Sequence, residues 1–487
     1  MIESHNAIKF WARKPISLIL SEFPKKAYII ADPFCGSGTT GFAALIRRVN
    51  CIYLSDISPV SVFITSTLLS QSKLLEEIFS YFVDFCKDLE EELYRVRDYK
   101  VGYAVWMTEL ECPKCGYKFG VRKMSNEVKC RKCYTKFPTR YFLFKEKLLW
   151  IYVEKNGKKF KIADKEILEE YIGKEENLCL KYWYPSGTFE YSNLKIEFRN
   201  GPHRRLEIKE IFTRRNLYAV SKIYNEIERI WKSDQEQGDL LKLAFIASLV
   251  NATKMIPHAK SSGPSWKLPR YWIPNIREER NFCKSFIRRL KIIKDFKEKL
   301  EMNLPISDYK INVTYGDINA LSSNGNNDEK TINIFRSDAR EAYLFLPRCD
   351  FVILDPPHYD QVDYYELCYL WQKWLQGSHN DMRFEDFEYW KNVISINSRI
   401  GHDLNFYNNN ISRIVLCYAG TLTKHGKLVL ILHNKDPAIL NETVKSIKEK
   451  LHDFKVKSSC EWPQVPSSAQ GIHGRKKFLY ILKIYRG

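Results

Sequence analysis

The stretch Tyr28-Ile29-Ile30-Ala31-Asp32-Pro33-Phe34-Cys35-Gly36-Ser37-Gly38-Thr39-Thr40-Gly41 constrains the fold more than any other part of the chain. A run of strand length ends in an acid, turns through glycines and continues into the helical-looking Phe42-Ala43-Ala44-Leu45. Strand, glycine turn and helix start make a cradle for a nucleotide-like ligand: glycines let it approach the backbone, and the helix amino end offers N–H groups without helical partners. Gly36, Gly38 and Gly41 satisfy the GxGxxG pattern, which is weak by itself. No Lys-Ser or Lys-Thr closes the run, which excludes a P-loop. A second strand, Cys51-Ile52-Tyr53-Leu54-Ser55, ends in Asp56-Ile57-Ser58-Pro59, where an acid is placed to hold ribose hydroxyls. Dinucleotide and S-adenosylmethionine sites both use this device, so the loop leaves both open.

Further along, Phe351-Val352-Ile353-Leu354 runs directly into Asp355-Pro356-Pro357-His358. Such a strand delivers a carboxylate and a stiffened, donor-free backbone to the carboxyl edge of a sheet, where open α/β folds bind ligands. The acid and a proline carbonyl can accept the two protons of an exocyclic amine, and a planar fourth residue can stack on a flipped base. Taken alone, the same run is a strand ending in a rigid acidic turn.

Four blocks together resemble the zinc-ribbon-containing, adenine-specific DNA methylase family, whose members use S-adenosylmethionine. They are Phe10-Trp11-Ala12-Arg13-Lys14-Pro15, the loop from Asp32 to Thr40, Ile211-Phe212-Thr213-Arg214-Arg215-Asn216-Leu217-Tyr218, and Asp355-Pro356-Pro357-His358-Tyr359-Asp360. His358 stands where the family has tyrosine, and its imidazole is planar but offers less stacking area. The resemblance implies a catalytic block of Asp355, Pro356, Pro357 and His358. It implies a cofactor site drawn from Trp11, Lys14, Asp32, Phe34, Gly36, Gly38, Thr39, Asp56, Ile57, Asp338 and Ala339, with Asp338 accepting the amino protons of the cofactor adenine. By spacing alone Asp338 is equally a helix cap.

Cys112-Pro113-Lys114-Cys115 and Cys130-Arg131-Lys132-Cys133 form two CxxC knuckles at the spacing of a four-cysteine zinc ribbon, a structural site because protein fills all four positions. A redox CxxC is the other use of one such pair. The loop carries Lys114, Lys118, Arg122, Lys123, Lys129, Arg131, Lys132 and Lys136, so the ribbon can rest on phosphates or simply brace the fold. Thirteen cysteines, an odd number, argue against a disulfide framework.

The excess of 77 Lys and Arg over 58 Asp and Glu, a net charge of +19, favours a polyanionic partner, and the resemblance makes that partner DNA. It also admits restriction or defence proteins as partners. No apolar stretch approaches the roughly 20 residues of a spanning helix, and a cytoplasmic location is expected.

The expected fold is α/β: a seven-stranded Rossmann-like methyltransferase sheet, interrupted by a large insert with the ribbon and a mixed strand and helix region. The divisions are 1–100 for the first part of the methyltransferase domain and 101–140 for the ribbon. Residues 141–305 form an insert for target DNA, and 306–487 the second part of the methyltransferase domain. Within these, 72–96 reads as a helix with Leu74, Leu75, Ile78, Phe82, Phe85, Leu89 and Leu93 on one face. Strands are expected over 140–212, with a turn at Asn156-Gly157, and helices over 216–231, 238–255 and 277–300. Lys267-Leu268-Pro269-Arg270-Tyr271-Trp272 is an aromatic, basic loop suited to nucleic acid or to packing, and Asn324-Gly325-Asn326-Asn327 a flexible one.

The expected activity is methyl transfer from S-adenosylmethionine to adenine N6 in DNA. Alternatives are transfer to cytosine N4, a zinc-ribbon DNA-binding protein with weak catalysis, and, more distantly, a nicotinamide oxidoreductase.

Overall fold

The computed structural model describes residues 7–11, 13–122, 125, 127–189, 206–259, 271, 273–316, 329–360, 362–434, 436–461 and 478–486. The loop at 324–327, and all of 267–272 except Tyr271, lie outside them.

The first part of the chain gives α1 (Ile16–Glu22), β1 (Ile29–Asp32), α2 (Thr39–Ile46), β2 (Cys51–Asp56), α3 (Pro59–Leu69) and α4 (Glu76–Leu93). Ser58 caps α3 by accepting from Ser61 N, and Pro59 opens the helix where its missing N–H costs nothing. An insert follows: β3 (Arg95–Val96), β4 (Tyr99–Glu111), β5 (Lys118–Gly120), β6 (Glu127–Lys129), β7 (Lys136–Pro138), β8 (Leu143–Lys155), β9 (Lys158–Ile162), α5 (Lys165–Glu176), α6 (Arg214–Ser233), α7 (Gln235–Leu249), β10 (Ile276–Arg280) and α8 (Phe282–Asn303). The last part holds β11 (Lys310–Thr314), β12 (Thr331–Arg336), α9 (Ala339–Ala342), β13 (Cys349–Leu354), α10 (Tyr364–Gln376), α11 (Leu404–Gly420), β14 (Leu422–Asn434), α12 (Pro437–Lys448), β15 (Phe454–Glu461) and β16 (Phe478–Arg486).

Among the described residues the principal sheet has eight strands, in the order β11-β12-β2-β1-β13-β14-β16-β15, rather than the seven expected. Neighbours from β11 to β14 run parallel, and β16 lies antiparallel between β14 and β15. The additional strand is β11 at the edge, Lys-Ile-Asn-Val-Thr, none of whose residues is fully buried, whereas four of the six in its neighbour β12 are. From β1 the chain passes to β2 on one side, while β13 lies on the other, so β1 and β13 flank the switch point where such sheets open a ligand crevice. Asp56, Asp32 and Asp355 stand at or just after the carboxyl ends of the adjacent β2, β1 and β13, and Asp338 just beyond β12.

The insert builds a second sheet in the order β10-β4-β8-β9, with β3 and β5 also on β4. Asn156 and Gly157 both adopt positive φ in the tight β8–β9 turn, as the Asn-Gly pair predicts. Two expectations fail here. The strand pattern over 140–212 gives way to α5, capped by Asp164. Residues 276–280 are strand β10, and the helix expected from 277 starts only at Phe282.

Two charges of β10, Arg277 and Glu279, are inside because they are paired. Glu279 accepts from Trp106 Nε1 (2.8 Å), Thr213 Oγ1 (2.8 Å) and Arg215 Nη1 (3.1 Å), and Arg215 is itself wholly buried with its guanidinium 3.5 Å from the Tyr171 ring centre. The block from Ile211 to Tyr218 thus serves as a clamp between α6 and the second sheet. One hydrophobic core runs continuously from β1, β2 and α2 through α4, α6, α7 and α8, so the insert shares its interior with the principal sheet.

Candidate active site and metal cluster

The glycine turn is shaped by backbone geometry. Gly36 and Gly38 have φ of +53° and +81°, a region that side chains rarely adopt. Gly41 serves packing, since a Cβ there would come within 2.7 Å of Leu69 and 2.9 Å of Leu54. Asp32 accepts from Phe34 N (2.9 Å) and Thr40 Oγ1 (2.5 Å), and Asp56 accepts from Gly36 N (3.0 Å) and Ser58 N (2.9 Å). Burial raises Asp32 to about 7 and Asp56 to about 6, against the lowering effect of those hydrogen bonds.

A crevice above this edge is lined by Trp11, Lys14, Asp32, Phe34, Gly36, Thr39, Asp56, Ile57, Asp338, Ala339, Asp355 and Pro357, so most of the residues singled out in the sequence meet in one place. Gly38, Pro356 and His358 are not among the lining residues. Asp338 caps α9 through Arg340 N (2.8 Å) and is paired with the Arg340 guanidinium.

Asp355 receives Lys14 Nζ on both oxygens, at 2.8 and 3.0 Å, which brings together residues 341 positions apart. Burial raises the Asp355 carboxyl, and Lys14 opposes that rise. His358 is 4% exposed, with Nε2 2.7 Å from Lys14 Nζ and its ring 5.2 Å from that of His433. The base-stacking ring expected at this position is thus buried against Lys14 and His433. Tyr359 turns away at φ +55° into the interior, stacked on Tyr407 at 4.4 Å and bonded through Oη to Thr443 Oγ1 at 2.9 Å. Tyr407 Oη and Tyr359 N both donate to the Pro357 carbonyl.

The four cysteines converge. The sulfurs of Cys112, Cys115, Cys130 and Cys133 lie within 4.8 Å of one another, with Cys112–Cys133 at 3.7 Å and Cys115–Cys130 at 3.6 Å. A tetrahedron of thiolates about 2.3 Å from zinc has edges of about 3.8 Å, so the set fits that ion. The knuckles repeat one geometry: Gly116 N donates to the Cys112 carbonyl and Tyr134 N to that of Cys130, and both residues have positive φ. Lys114, Lys118, Arg122, Lys129, Arg131, Lys132 and Lys136 are exposed around them, while Lys123 lies outside the described residues.

Comparison with protein families gives a match over part of the chain. Residues 13–182 match the family of D12 class N6 adenine-specific DNA methyltransferases. The match supports adenine-N6 methylation with S-adenosylmethionine as the chemistry of this chain, which is accordingly an enzyme. No curated protein matches it. The matched span takes in the glycine loop and the ribbon and ends before the Asp355 block.

Several residues of the crevice were not singled out in the sequence. Arg13 lines it, half-buried, with a hydrogen bond from Nη2 to the Ser37 carbonyl (3.0 Å) and, among the described residues, no partner for Nε or Nη1. Burial lowers its pKa to about 10. Its place beside Trp11 and Lys14 was the available signal. Tyr364, Tyr365 and Tyr389 also line the crevice, the last 3.3 Å from Ser58 Oγ, and no local pattern marks them. Among the described residues, no helix is long and apolar enough to cross a membrane.

Proposed function

We propose that the crevice holds S-adenosylmethionine between Arg13, the glycine loop, Asp56 and Asp338, and presents the amine of a flipped adenine to Asp355. The observation that carries this is the charge pattern of one pocket. Asp32 is buried and Asp56 and Asp355 are partly buried, desolvation raises all three carboxyls, and beside them sits a guanidinium with two donors unmatched among the described residues. A ligand with a cationic sulfonium and an anionic carboxylate suits both features, whereas the diphosphate of a nicotinamide cofactor would face the acids. When bound, the cofactor supplies an electrophilic methyl group.

Asp355 and the Pro356 carbonyl would accept the two amine protons, the Pro357 carbonyl being already engaged by Tyr407 and Tyr359. Those bonds turn the nitrogen lone pair toward the methyl group and stabilise the positive charge that develops on nitrogen. An acid in the first position of the block favours adenine over cytosine. The four cysteines would hold one structural zinc ion, which takes no part in methyl transfer.

Calorimetric titration tests the cofactor: S-adenosylmethionine should bind and NAD should not. Arg13→Ala should weaken that binding about tenfold to a hundredfold, the loss expected for a hydrogen-bonded ion pair. An unchanged affinity would remove Arg13 from the site.

Target DNA would cross the second sheet and the ribbon. Lys158, Lys159 and Lys161 are exposed on β9, and Lys161 lies 4.7 Å over the Trp150 ring, so the surface offers both charge and a stacking face. DNA affinity should therefore fall by an order of magnitude or more between about 50 and 200 mM salt, as condensed counterions cease to drive binding. Fluorescence anisotropy showing salt-independent affinity would redirect the search to a small substrate.

A further inference from the structure

His358 occupies the fourth position of the Asp-Pro-Pro block, yet it is 4% exposed and is not among the residues that line the crevice with Asp355 and Pro357. What it meets instead is Lys14. The ammonium sits 2.7 Å from Nε2 and donates to both oxygens of Asp355, while His358 Nε2 is itself 3.8 Å from Asp355 Oδ1. A lysine ammonium has only donors, so the imidazole must be the acceptor in this contact. That requires a neutral ring with the Nε2 lone pair facing Lys14. The lysine side chain is only 11% exposed, and the histidine offers its ammonium an acceptor that water cannot readily supply there.

We infer that His358 is a positioning residue, which holds Lys14 against Asp355 and so keeps the acceptor carboxylate ionised and aimed into the crevice, rather than a platform for the target base. The inference rests on the assignment of Asp355 as acceptor of the amine protons. Lys14 does not exhaust that acceptor, because a carboxylate has about four lone-pair sites and the amine needs one. Ring shape is then secondary at position 358, and an acceptor atom is what the site requires.

The test compares His358→Gln, which keeps a side-chain acceptor without the ring, with His358→Phe, which keeps a flat ring without the acceptor. Steady-state methylation of duplex DNA by the full chain is measured for both. His358→Phe should lower kcat about tenfold to a hundredfold, the cost of a lost hydrogen bond to a charged group, with little change in KM for DNA. His358→Gln should stay at least about tenfold above His358→Phe. Lys14→Met should reproduce the kcat loss and move the acid limb of the kcat–pH profile upward, because the lysine no longer opposes the burial-raised carboxyl. Adding His358→Phe to Lys14→Met should cost little more, since the two act through one contact.

Activity that survives in His358→Phe and falls in His358→Gln through KM for DNA would overturn the inference in favour of base stacking. Equal kcat losses in the Gln and Phe variants, or fully additive losses in the double variant, would overturn it as well. Asp355→Ala, measured alongside, separates the two levels. Its inactivity with any of these contrary outcomes sinks only the role of His358, whereas full activity sinks the assignment of the acceptor.

Discussion

Asp355→Ala should lower kcat for methyl transfer by roughly 10²- to 10³-fold while S-adenosylmethionine still binds, the loss expected when one preorganised electrostatic partner of the developing charge is removed. The magnitude follows from where the charge appears. In the proposed site adenine N6 would become cationic as the methyl group arrives, and its proposed acceptor is a carboxylate held just beyond β13 by a buried strand and two prolines. Its removal also deprives Lys14 of its ion pair and leaves a cation at the crevice wall, which adds to the loss. Asp355→Asn keeps the shape and removes the charge, so it should be nearly as inactive if charge is the cause. Single-turnover kinetics with radiolabelled cofactor would measure both variants. Either one retaining wild-type kcat would show that the acceptor lies elsewhere.

The parts of this enzyme legible in sequence are those whose chemistry is local. The glycine turn needs positive φ within a few residues of a strand end, and the cysteine knuckles need thiolates three positions apart, so both leave patterns that survive without a fold. Asp355 was visible for the same reason, as an acid that ends an apolar run.

What sequence did not disclose depends on distant partners. Arg277-Glu278-Glu279-Arg280 reads as a solvated helical face, yet Arg277 and Glu279 are buried because Thr108, Glu146, Trp106 and Arg215 satisfy them. The edge strand β11 lacks an apolar run, and at the sheet edge none of its residues is fully buried. His358 reads as a stacking ring from its place in its block, and nothing local marks Lys14, from the other end of the chain, as its neighbour. In each case the side chain's partner, and not its own type, fixes its place.

Removal of zinc should unfold the ribbon and spare the cofactor crevice. The cluster's own interior consists of Leu110, Cys112, Phe119, Val121, Cys130 and Phe142, two of them proposed ligands, and a core that small does not offset the entropy of ordering the knuckles. Structural zinc contributes about 10–16 kcal/mol in isolated fingers, so the metal would dominate local stability. Elemental analysis should find one zinc per chain, and Cys130→Ser should release it, because Cys130 is fully buried and a serine hydroxyl is a poor ligand in its place. The exposed Lys114, Lys118, Lys129 and Lys132 would then become fast tryptic sites. None of the four cysteines lines the crevice, so S-adenosylmethionine affinity should persist while DNA affinity falls with the loss of the basic ribbon surface. A Cys130→Ser protein that loses cofactor and DNA binding together would show instead that the ribbon braces the whole catalytic fold. A wild-type protein without zinc would return the four thiols to redox chemistry.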